Sequence, residues 1–86
     1  MSPFTQSQVI ILPRAEEYRS LYSVSLADVL ACLNEPDHCE GFAIGHYTAE
    51  KDFENHRIYV YYYRTFPVQY LEECYAIVDF IGFSGL

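Results

Sequence analysis

The residues with the widest chemical range lie between positions 35 and 56, where His38, Cys39, His46 and His56 are interleaved with Asp37, Glu40 and Asp52. Imidazole, thiolate and carboxylate are the donors of a transition-metal shell. Neither a C-x-x-C nor an H-x-x-x-H spacing occurs, so no short scaffold holds two ligands together, and the sequence assigns neither a metal nor any other cofactor. Cys39 beside His38 has the makings of a thiol nucleophile and its base. Neighbours in sequence seldom turn their side chains toward each other, and acidic surroundings disfavour a thiolate, so no catalytic residue is assigned.

The carboxylates of this region carry the stronger signal. Glu35, Asp37, Glu40, Glu50, Asp52 and Glu54 have only Lys51 among them and account for −5 of the net −7 set by twelve acids and five bases. A field of that sign repels phosphate backbones, which disfavours direct nucleic-acid binding. The same field steers the protein toward basic surfaces, including the nucleic-acid grooves of other proteins. The acids fall in two polar stretches, 35–41 and 49–56, at either end of a strand expected over 42–48. That strand spans roughly 23 Å, so the stretches form one patch only if the fold brings them together.

Tyrosine supplies the other half of a contact surface. The chain has nine tyrosines, six phenylalanines and no tryptophan, and Tyr59, Tyr61 and Tyr63 alternate with Ile58, Val60 and Tyr62 in the stretch 57–66. An extended chain puts the first set on one face and the second, with Phe66, on the other. Helices are expected over the aliphatic face, which leaves the tyrosines to form an interface or to pack against one another as cross-strand pairs. A homodimer through this face or through an exposed strand edge would leave the same signature.

The elements that position these residues follow from local pattern. Residues 57–66 are dense in β-branched and aromatic residues and make a long strand, the expected centre of a sheet. Residues 8–12 form a short apolar run that can be a first strand. Pro13 opens a helix over 13–22, with Glu16 and Glu17 in its first turn. Ser25 caps a second helix to Asn34, with Leu26, Val29, Leu30 and Leu33 as its stripe. The last strand, 73–83, is apolar on both faces and belongs inside the sheet. The expectation is a single α+β domain over 1–86 with residues 1–7 loose, built as a small antiparallel three- to four-stranded β-meander with two N-terminal helices on one face, in the order β-α-α-β-β-β.

This order, with residues 25–33 followed by Arg57-x-x-Val60-x-Tyr62, resembles the RelE- and BrnT-type ribonuclease toxins over the last two thirds of the chain. The resemblance implies a basic groove for RNA, with Arg57, Arg64, His56 and Tyr61 as the nearest candidates. The charge favours a different reading. The chain is expected to be a non-enzymatic, protein-binding module of inhibitor or antitoxin type, or a phage-type anti-defence protein, that blocks a partner's basic, nucleic-acid-binding surface. Three cysteines cannot all pair within one chain, residues 1–8 lack a signal-like pattern, and no run reaches the ~18 apolar residues of a membrane span, so a cytoplasmic setting is expected.

Overall fold

The computed structural model describes residues 4–43, 45–65 and 74–85. Ile44 and Phe66, which the sequence assigns to strands, and the loop that follows Phe66 lie outside them. His56–Arg64 forms the middle strand of a five-stranded sheet, β4, as its alternation demands. The other strands are β1 (Val9–Ile11), β2 (His38–Gly41), β3 (His46–Asp52) and β5 (Ala76–Gly85), in the order β1-β5-β4-β3-β2. Strands β3, β4 and β5 form the expected antiparallel meander, β2, expected as a polar turn, extends it antiparallel to β3, and β1, the expected first strand, pairs in parallel with β5. The sheet is therefore mixed and has one strand more than local pattern reveals. β5 lies between β1 and β4, the place inside the sheet expected of it.

Helices α1 (Pro13–Leu21) and α2 (Leu26–Asn34) connect β1 to β2. Pro13 sits in the first turn of α1, where its missing N–H is harmless. The helix ends in a Schellman arrangement: Val24 N–H donates to Arg19 O, Ser23 N–H donates to Ser20 O, and Ser23 takes a left-handed φ of 54°. The Ser25 hydroxyl then caps α2 by accepting from Asp28 N at 3.1 Å. The buried stripe of α2 is Val29, Cys32 and Leu33, whereas Leu26 is 41% exposed. The small Cys32 takes a place in that stripe and Leu26 does not. The Cys32 thiol donates to Ala49 O at 3.4 Å and Ile58 O at 3.7 Å.

The core lies between the helices and one face of the sheet. Ala49, Ile58, Val60, Tyr62, Ala76, Val78 and Ile81 meet Ala15, Val24, Val29, Cys32 and Leu33 there. Phe4 joins them. Residues 4–7, expected to be loose, begin with a buried ring that sits edge-on to Tyr62 and 5.0 Å below the Arg64 guanidinium. The Asn34 amide fixes this segment by accepting from Phe4 N at 2.7 Å and donating to Phe4 O at 2.8 Å. Asn34→Ala is expected to lose both bonds and lower unfolding stability by about 2 kcal/mol, measurable by urea denaturation; a change under about 0.5 kcal/mol would show that the arm is not anchored this way.

Two polar stretches read as connections are strands. Residues 38–41 form β2, and β3 runs on to Asp52 through residues assigned to a loop. Phe42 and Ala43, expected in a strand, lie beyond the end of β2, where Phe42 N–H donates to His46 O and His46 N–H donates to Ala43 O. Gly45 has a φ of 79°, a left-handed conformation that favours glycine. Among the described residues no helix is long and apolar enough to cross a membrane.

Candidate protein-interaction face

The register places Glu40, Glu50 and Asp52 on the same side of the sheet as Tyr59, Tyr61 and Tyr63. Pairing of β3 with β4 and of β4 with β5 aligns Thr48 with Tyr61 and Phe80, and Glu50 with Tyr59 and Gly82. Pairing of β2 with β3 extends these rows to Glu40 and His38. A third row joins His46, Tyr63, Ile77 and Ile10. The face opposite the helix-covered core thus passes from carboxylates on β2 and β3, through tyrosines on β4, to aliphatic and aromatic side chains on β5 and β1.

Tyr59, Tyr61 and Tyr63 are half-buried, held by one another's neighbours. Tyr61 Oη is 2.9 Å from His46 Nδ1, the His46 ring stacks on Tyr63 at 5.4 Å, and Tyr59 meets the Phe80 ring edge-on at 6.2 Å. Gly82 leaves room for this last contact. A Cβ there would lie 3.3 Å from Phe80 Cε1 and 3.5 Å from Tyr59 Cβ. The missing side chain opens a depression of about 240 Å³ lined by Arg57, Tyr59, Phe80, Gly82, Phe83 and Ser84. Neither Phe80 nor the His46–Tyr61 pair stands out in the sequence, because their partners are fixed by register and by a bulge opposite Tyr61 and Tyr62.

The two acidic stretches converge. Asp37 N–H donates to Glu50 O at 2.8 Å, and Asp37 Oδ2 accepts from Asp52 N at 2.7 Å. Glu35 and Asp37 therefore stand at the start of β2 beside Glu50 and Asp52 on β3, Glu40 lies farther along β2, and Glu54 lies in the following turn. Lys51 and Arg57 sit among these six acids. Asp52 holds the Arg57 guanidinium through Nε at 2.5 Å, and that hydrogen bond keeps the Asp52 carboxyl below its ordinary range. Lys51 Nζ donates to Glu35 O at 2.8 Å.

The remaining chemical candidates are dispersed. Strand alternation puts His38 and Cys39 on opposite faces of β2, since His38 pairs with Glu50 and Cys39 with Ala49. Among the described residues no group of three or more His, Cys, Asp or Glu side chains is placed to hold a metal ion. The set implied by the ribonuclease resemblance is divided between the two faces of β4. Arg57 and Tyr61 are on the open face, while Arg64 lies over Phe4 and His56 is stacked between Phe53 at 4.9 Å and Phe83 at 5.1 Å. Burial pushes the Cys32 thiol up to about 12, so it is unreactive at neutral pH. Brief native alkylation is expected to modify the exposed Cys39 and leave Cys32 intact until the chain unfolds; intact mass with peptide mapping reads this out, and equal rates at the two thiols would contradict it.

No protein-family model matches the chain, and no curated protein or solved structure matches it.

Proposed function

We propose that the chain is a protein-binding module that acts as an inhibitor, seating its open sheet face on a basic, nucleic-acid-binding surface of another protein. The observation that carries this reading is the shared face. Glu50 is the direct cross-strand neighbour of Tyr59, and Glu40 lies in the row of Tyr61 with Thr48 between them, so carboxylates and amphipathic rings share the face. Acids at the rim steer a cationic partner and fix its orientation, while tyrosines next to them supply contact area at low entropic cost. Carboxylates held at strand spacing imitate a row of phosphates. The compartment proposed is the cytoplasm, on the odd count of three cysteines, all free.

A ribonuclease is the competing reading, and the division of Arg57, Tyr61, His56 and Arg64 between two faces weighs against it. Immobilised protein tests both. Capture from the native host is expected to yield a basic nucleic-acid-binding protein that elutes as salt rises, and addition of the free module is expected to inhibit that partner's nucleic-acid binding. RNA cleavage by the purified chain, lost on Arg57→Ala, would replace this proposal with the enzymatic one.

A further inference from the structure

The flank of the sheet opposite β2 has a surface of the reverse kind. β1 pairs only with Ala76–Val78, so from Asp79 to Gly85 the outer side of β5 has no neighbouring strand among the described residues. Helix α1 follows this stretch. The Tyr18 ring is 5.1 Å from Phe80, and Tyr22, just past the helix, stacks on Phe83 at 5.5 Å. These four rings are each 37–40% exposed, and Leu21 beside them is 71% exposed. Most of the charges nearby are paired. Asp79 is held by Arg14 at 2.6 Å, Glu16 by Arg19 and Asp52 by Arg57, leaving Glu17 on that helix and Asp28, 3.8 Å from His56 Nε2, whereas the clustered acids lie on and beyond β3.

We propose that this flank is the contact surface of a homodimer, occupied by the same flank of a second copy across a two-fold axis. Charge placement selects that occupant. The acids that would steer a cationic partner are concentrated on β2 and β3, and a chain of net −7 can approach another copy only where most of its carboxylates are paired or remote. Strand β2 lies roughly 14 Å from β5, three strand spacings away. Glu50 and Asp52 on β3 are two spacings, about 10 Å, from β5, so in a pair joined at β5 the strand-borne acids of the two copies are about 20 Å apart or more by the same spacing, beyond two Debye lengths of ~8 Å at physiological salt. Contact area sets the strength. With about two-fifths of each ring exposed, the four rings and Leu21 offer on the order of 400 Å² of apolar surface per copy. This is about half of the ~800 Å² that each partner buries in a stable interface, which makes the pair a reversible one.

Sedimentation equilibrium of the full chain from about 5 to 300 μM, in low and high salt, tests this directly. The expected result is a monomer–dimer equilibrium with Kd on the order of 10–100 μM, tightened several-fold by added salt as repulsion is screened. Leu21→Glu, at an exposed helix end, is expected to raise Kd at least about 10-fold while leaving the thermal melt unchanged, and Tyr22→Ala is expected to act in the same direction. The triple reversal Glu40→Lys, Glu50→Lys, Glu54→Lys is expected to leave the dimer intact, which separates this flank from the acidic rim of the partner-binding face, Phe80 being common to the two surfaces. A chain that stays monomeric at about 300 μM in both salts, or a dimer indifferent to Leu21→Glu and Tyr22→Ala, overturns the proposal.

Discussion

Ile58→Ala is expected to lower the stability of the domain by about 3 kcal/mol and its melting temperature by roughly 15–20 °C. Ile58 is fully buried on the covered face of β4, beneath α2, where the Cys32 thiol donates to its carbonyl. Truncation removes three methyl or methylene groups from a close-packed layer and leaves a cavity that a short helix can only partly fill. The loss is a large share of what holds a domain of this size, whose total stability falls in the lower part of the ~5–15 kcal/mol range. Ile10→Ala is the matched control. Ile10 lies on β1, is 46% exposed on the open face, and its truncation is expected to lose less than about 1 kcal/mol. Thermal and urea denaturation of the two variants decide the matter, and equal losses would mean that the helices do not cover the Ile58 face.

The second large effect is expected in binding. Simultaneous Glu40→Lys, Glu50→Lys and Glu54→Lys substitutions add two charges each and take the net charge from −7 to −1. Affinity for the captured partner is expected to fall at least about 100-fold, with most of its salt dependence removed, because both steering and close carboxylate contacts are lost. These three are chosen over Asp37 and Asp52 because the latter also support the backbone. Asp37 accepts from Asp52 N–H, and Asp52 holds Arg57, so reversing them would confound binding with folding. A titration in which the triple variant binds as tightly as the parent, with an unchanged melt, would remove the acidic rim from the mechanism.

Hydrophobic period made much of this architecture legible. The alternation of residues 57–66 located the central strand and both of its faces, Ser25 marked the start of α2, and the doubly apolar last strand found its place inside the sheet. The hairpin of β2 and β3 escaped that reading for a physical reason. β2 is an edge strand exposed along its whole length, so His38, Cys39, Glu40 and Gly41 carry no apolar period, and the boundary is set by the left-handed Gly45. The parallel pairing of β1 depends on residues from opposite ends of the described chain and leaves no local trace. Phe4 was missed because one buried ring has no period. Of the candidate site, the two residue classes were readable, but their union on one face was not, since it follows from β2–β3 register.

The attachment of β1 to β5 also dictates an order of events during synthesis. β1 is the first strand made, and its partner is the last, so Val9 and Ile11 wait for Ala76 and Val78. Until β5 has emerged, α2 can settle on β3 and β4, but α1 lacks the strand it packs against. A chain in which β5 is not yet in place has β4 as an open edge and lacks the aromatic flank. Closing the sheet joins distant parts of the sequence in one late step, and this step governs how long that edge is available for mispairing.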